Sequence, residues 1–128
     1  MIYRLKKNNE FTTVYKRGKS FANDILVIYI LKNKKNKNEK LQVYNRIGVS
    51  VSKKVGNSVV RSRCKRLISE SFRLNCDTLK VGYDIVFIAR KPLKDKGYFE
   101  VEKAMKNLFK KAGLHYNEEI SNKFNNDL

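Results

Sequence analysis

Seven consecutive apolar residues, Ile25-Leu26-Val27-Ile28-Tyr29-Ile30-Leu31, stand in a chain otherwise dense in lysine, and they must leave water wherever the fold puts them. The run is about a third of the roughly 20 residues that a membrane helix needs, so it cannot span a bilayer. β-Branched and aromatic residues concentrate from Ser20 to Leu31, and Ile25 to Leu31 reads as a well-buried strand. Directly afterwards, Lys32 to Lys40 contains no apolar residue, which predicts a polar, mobile hairpin connection. The next strand alternates: Val43, Ile47, Val49 and Val51 share one face, while Tyr44, Arg46, Gly48, Ser50 and Ser52 share the other. One face belongs to the core and the other to solvent or a ligand.

Three helices frame these strands. Phe11, Val14 and Tyr15 recur at helical spacing, with Asn8 or Asn9 as the expected cap and Gly18 as the stop. A second helix, capped by Asn57 or Ser58, runs through Val59 to about Asn75, and a helical wheel puts Val60, Cys64, Leu67, Ser71 and Leu74 on its inner arc. Tyr83 to Ala89 forms the last strand. Asp95 then opens a helix carrying Phe99, Met105, Leu108, Phe109 and Ala112, with Gly113 beyond it. The mixture favours an α+β sandwich with helices covering one sheet face.

The chain has 128 residues and a formal charge of +17, enough for one domain with one modest core. Residues 1–114 hold 28 Lys plus Arg against nine Asp plus Glu, so the charge belongs to this single domain, and 115–128 are expected to fray. Such an excess repels itself, and a polyanionic partner is the simple reason to carry it. No apolar signal-peptide core follows the basic N-terminus, which predicts a cytoplasmic protein. Cys64 and Cys76 form no CxxC motif and His115 is the lone histidine, so neither a zinc site nor a disulfide framework is expected. Asp24, Glu70 and Asp84 are scattered, more in keeping with turns and strand ends than with the clustered carboxylates of a metal-dependent nuclease.

Lys53 to Arg73 holds seven Lys plus Arg and only Glu70 against them. A solvated charged face is the ordinary explanation for an exposed helix, but ordinary faces are diluted by acids, and this one favours a polyanion. Cations in a first helical turn oppose the helix dipole, a conflict that a docked phosphate relieves.

Ser50-Val51-Ser52-Lys53-Lys54-Val55-Gly56-Asn57-Ser58-Val59-Val60-Arg61-Ser62-Arg63-Cys64-Lys65-Arg66 resembles the signature of the bacterial ribonuclease P protein component. Supporting matches include Glu10-Phe11, Val14-Tyr15-Lys16-Arg17-Gly18, Ala89-Arg90-Lys91-Pro92 and Leu108-Phe109-Lys110-Lys111, over about residues 3–114. Ser62 stands where the family usually has Asn, keeping a small hydrogen-bonding group but losing the amide's reach. The resemblance implies a single-layer, mostly antiparallel sheet with helices packed on it, in αβββαβα order. This is the ribosomal protein S5 domain 2-like fold, with a left-handed crossover helix. It also implies a subunit that binds a catalytic RNA and helps it remove the 5′ leader of precursor transfer RNA. Mg2+ serves the RNA, and the protein itself is expected to bind no cofactor or metal. Neither a membrane nor an obligatory protein partner is implied.

By that likeness Lys53, Lys54, Asn57, Arg61, Ser62, Arg63, Lys65 and Arg66 face the catalytic RNA. Phe11, Tyr15, Phe21 and Tyr29, with Arg46, Ser50 and Ser52 of the polar strand face, line a cleft for the leader. Read without the likeness, Phe11, Tyr15 and Tyr29 are more simply ordinary core residues, although aromatics beside cations also suit single-stranded nucleic acid. The rival function is a ribosomal or other structural RNA-binding protein, which composition alone does not exclude.

Overall fold

The computed structural model describes residues 2–115. Its elements are β1 (Tyr3–Arg4), α1 (Asn8–Arg17), β2 (Lys19–Ala22), β3 (Leu26–Lys32), β4 (Arg46–Ser50), α2 (Ser58–Asn75), β5 (Tyr83–Ala89) and α3 (Tyr98–Ala112). The expected αβββαβα order is present, preceded by the two-residue β1. One five-stranded sheet has the order β1-β4-β5-β3-β2. β3 pairs antiparallel with β2 and β5, whereas β4 pairs parallel with β5 and β1. The parallel β4–β5 pair is joined by α2, so α2 is a crossover helix.

The stretch from Ser20 to Leu31 is a hairpin, β2 and β3, turned at Asn23, whose Oδ1 accepts hydrogen bonds from the Ile25 and Leu26 amides. Lys32 to Lys40 is not a hairpin connection, because β5 lies between β3 and β4. Nor is it a free loop: Asn36 is buried, Lys37 bridges Val43, and Asn33 and Asn36 both donate to Asp84. The sequence gives no sign of this anchor because Asp84 lies 48 residues beyond Asn36. Val43 precedes β4 and is exposed, so the alternation begins structurally at Arg46.

Helices cover both faces of the sheet, not one. Alternate residues of a strand point to opposite sides, so the apolar run of β3 serves two cores. Leu26, Ile28 and Ile30 join Ile47, Ile85 and Phe87 under α2 and α3, while Tyr29 and Leu31 join Leu5, Val14 and Val86 under α1. Phe72, Phe87 and Phe109 meet edge to face at 5.8–6.4 Å in the larger core. Each such buried ring contributes about 1.5–3 kcal/mol through burial.

The helix ends depart from expectation in instructive ways. α1 is capped by Lys7 and not by Asn8 or Asn9, with the Glu10 carboxylate accepting from the Lys6 and Lys7 amides at 2.9 and 2.8 Å. Asn57 caps α2, accepting from the Val60 amide. The buried stripe of α2 is Cys64, Ile68, Ser71 and Phe72, and Leu74 is half exposed. Lys91–Asp95 form a 3-10 turn, so α3 starts at Tyr98 and leaves Phe99 on the outside. At its other end Gly113 adopts φ 68°, a left-handed stop that glycine accommodates without strain. His115 is no free tail residue: it bridges Leu79 and packs on Phe109. The remainder of the expected frayed segment, 116–128, lies outside the described residues.

Candidate nucleic-acid interface

The sheet face beneath α1 is made of three rows of side chains running across the strands. Leu31, Asp84, Arg46 and Tyr3 make the first; Ser20, Tyr29, Val86 and Gly48 the second; Ala22, Val27, Ile88 and Ser50 the third. α1 lies over the first two. Phe11 sits directly on Gly48, where a Cβ would come within 2.5 Å of its ring, so glycine is what lets the helix approach. Val14 is fully buried beside Val86, and Tyr15 meets Tyr29 edge to face at 5.1 Å.

The third row is left partly open. Tyr15 overhangs it, 37% exposed, with Val27, Ile88 and Ser50 half-buried as its floor. Burial raises the Tyr15 phenol, and the neighbouring Ser50 hydroxyl pulls it the other way. The result is a shelf with one aromatic wall, an apolar floor and hydroxyls within reach. Phe11, Tyr15, Tyr29 and Ser50 come together here as the sequence suggested. Ser52, exposed, lies in the turn beyond β4.

One predicted member of this site is elsewhere, and another is already occupied. Phe21 pairs with Ile28 and packs into the larger core, on the opposite face of the sheet from the shelf. Arg46 is on the correct face but committed: its Nε and one Nη donate to Asp84 at 2.9 Å each, and its other Nη pairs with Glu10. Two carboxylates therefore neutralise the cation assigned to the leader. The same contacts act on the acids. Glu10 is lowered to about 2, chiefly by the Lys6 and Lys7 amides and further by Arg46, against the opposing effect of burial. Burial pushes Asp84 up, but hydrogen bonds from Arg46, Asn36 and Asn33 outweigh it and hold the carboxyl below its ordinary range. Asp84, which read as a plain strand-end residue, is the hub of a partly buried network.

The basic face forms at the end of the sheet where β4 and β5 both finish. Lys53 and Lys54 are exposed in the turn after Ser50, and Ser62, Lys65 and Arg66 are exposed on the first turns of α2. Among the described residues, no carboxylate pairs with these four cations. Asn57 and Arg63 are engaged internally: the first caps the helix, and the second donates to the Lys94 and Lys96 carbonyls at 3.1 and 2.8 Å. Arg61 is half-buried, with its Nε unpartnered among the described residues. Farther along, Arg73 pairs with Glu70, so the unneutralised charge is confined to the N-terminal half of α2.

Sequence reasoning missed the shelf floor, Val27 and Ile88. In an unbroken apolar run nothing distinguishes the residues of one face from those of the other until the register is known. It also missed Arg90, which is extended and exposed just after β5 and places another cation at the open end of the shelf. Among the described residues no three His, Cys, Asp or Glu side chains come together as a metal site. Glu10 and Asp84 are both occupied by Arg46. The two cysteines are free, Cys64 buried and Cys76 half-buried. No described helix is long and apolar enough to cross a membrane.

Comparison with known proteins agrees with this fold. The Ribonuclease P family model matches residues 2–113. The ribonuclease P protein component of Clostridium beijerinckii is 70% identical over 122 residues, covering 95% of this chain and 98% of that protein. Among solved structures, the Staphylococcus aureus RNase P protein superposes with a TM-score of 0.76 at 36% identity, covering 91% of this chain and all of that one. The RNase P protein from Thermotoga maritima gives 0.73 at 32% identity, covering 84% and 96%.

Proposed function

This chain belongs to the ribonuclease P protein family, and from that membership we propose how its two surfaces divide the work of transfer RNA 5′ maturation. The chain is the protein component of a ribonucleoprotein endonuclease. The catalytic RNA, with its magnesium, supplies the hydrolysis of one phosphodiester bond.

Lys53, Lys54, Lys65 and Arg66 engage phosphates of the catalytic RNA. Each neutralised phosphate releases counterions, so association weakens steeply with salt and the assembled particle tolerates less magnesium. Helix α2 presents Lys65 and Arg66 on a rigid element, with Arg63 tying its first turns to the loop before α3. The shelf takes the single-stranded 5′ leader of precursor transfer RNA. Base stacking on Tyr15 and contact with Val27 and Ile88 need no particular sequence, and the Ser50 hydroxyl can bond to sugar or phosphate. Only the precursor has a leader, so this contact separates substrate from product.

The observation that carries the reading is the uncovered third row of the sheet, which opens at the same end as the unpaired cations. A structural RNA-binding protein needs the cations but has no use for a single-strand shelf beside them. Cleavage of precursor with and without a leader, by the matching catalytic RNA at limiting magnesium, tests it. Wild-type protein is expected to favour the leader-bearing substrate. Tyr15→Ala, at an exposed position, should keep the fold and reduce that preference about fivefold or more. An unchanged preference in a folded variant overturns the shelf assignment.

A further inference from the structure

Phe99 is the most exposed large apolar side chain among the described residues, at 80%. It does not belong to the core, and neither surface above uses it. At about 100° per residue, Phe99, Lys103, Lys106 and Lys110 fall on one outward stripe of α3, opposite the buried Val101, Met105, Leu108 and Phe109. All four stripe residues are exposed. Lys106 pairs loosely with Glu102 at 3.8 Å, while Lys103 and Lys110 have no carboxylate partner among the described residues. Beside the stripe runs a groove of about 740 Å³ between α3 and the β2–β3 turn, lined by Asn23, Arg90, Lys103 and Asn107, with Asp24 and a Lys96–Glu100 pair among its polar groups.

Arg90 links the two regions. It follows β5 at the open end of the shelf, its guanidinium donates to the Asn23 carbonyl, and it lines the groove. A strand leaving the shelf past Arg90 therefore meets the groove and then the stripe without crossing an acidic surface larger than Asp24 and Glu100. An exposed phenyl ring with lysines following it along the same helix stripe matches a stacking platform with phosphate contacts on one side. A protein partner would be expected to meet a broader apolar patch than one ring.

We propose that the groove and the outer stripe of α3 form a second track for single-stranded RNA, holding leader nucleotides beyond those on the shelf. Phe99 stacks one base, and Lys103 and Lys110, about one and three turns farther along α3, contact phosphates that follow it. This inference rests on the shelf holding the leader, and it adds a dependence on leader length that the shelf alone does not produce.

The test uses the holoenzyme with precursors bearing no leader, a short leader filling only the shelf, and a long unstructured leader. In the wild type, affinity should rise from none to short and again from short to long. Phe99→Ala and Lys103→Ala/Lys110→Ala should each remove at least about fivefold of the second rise and leave the first intact, with Phe99→Tyr restoring it. All three positions face solvent, and an unchanged melting curve confirms that each variant folds. A second rise that survives both substitutions overturns the track and leaves the shelf standing. Equal weakening toward leaderless substrate also overturns it, by assigning the stripe to the catalytic RNA. If the first rise is missing in the wild type, the shelf reading itself fails.

Discussion

Two sets of cations lie within one strand and one turn of each other and have opposite fates. Arg46, on β4, is held by Glu10 and Asp84 and half-buried under α1. Lys53, Lys54, Lys65 and Arg66, just beyond the end of the same strand, meet no carboxylate among the described residues and stand in solvent. Both sets look alike in a charge count. The difference teaches that a basic sequence contains structural and available cations, and that neighbouring acids, brought in from distant segments, decide which is which. One arginine fixes α1 to the sheet and so builds the shelf, and the others are left for an external polyanion.

The largest expected effect breaks the structural half. Asp84→Ala removes the shared acceptor of Arg46, Asn33 and Asn36 and leaves their donors unsatisfied around a buried site. Losing one member of such a network costs about 3–5 kcal/mol. Urea unfolding should show it as a lower midpoint at unchanged slope; a loss below about 1 kcal/mol would mean that the network is not what anchors α1 and the 33–45 segment.

The available half should respond in the opposite sense. Lys65→Ala/Arg66→Ala is expected to change unfolding stability by no more than about 0.5 kcal/mol, since neither side chain is buried or paired. Binding to the catalytic RNA, measured over a salt series, should weaken at least tenfold near physiological salt, with the log–log slope falling by about 1.5. A large stability loss with an unchanged salt slope would merge the two classes of cation and refute the distinction.

A gentler probe is acid. Glu10 and Asp84 are both lowered in the folded state, so their contribution is fully present above the ordinary carboxylate range and is lost as pH falls through their folded values. For Glu10 the window runs from 4.5 down to about 2. Thermal melts across that window should show progressive destabilisation, diminished in Glu10→Gln. A melting temperature flat from neutral pH to pH 3 would contradict the pairing.

Much of the architecture was legible before any coordinates. Tyr83 to Ala89 is a strand at the boundaries its composition suggests, because seven residues of strong β propensity are framed by Gly82 and by Arg90-Lys91-Pro92. Asn57 caps α2, and the resemblance in Ser50 to Arg66 identified the family. The helical wheel of α2 was rotated: of Val60, Cys64, Leu67, Ser71 and Leu74 it brings only Cys64 and Ser71 into the buried stripe, which Ile68 and Phe72 complete. The error has a physical origin, since small rotations of a helix with apolar residues on several sides are settled by what it packs against.

The chain's own sequence determined that it folds as one α+β domain, carries its charge outside, and places a basic helix after an alternating strand. These follow from local periodicity and composition, which act along the chain. Tertiary structure decided everything that depends on which distant segments meet. It put helices on both faces of the sheet, sent Phe21 into the core opposite the shelf, and turned Asp84 and Arg46 into a clasp. It also left Val27 and Ile88 half-buried and Phe99 exposed. An apolar run does not reveal which of its two faces will stay uncovered, and a charged residue does not reveal whether its partner lies within the protein; both are fixed only when register and packing bring the pieces together.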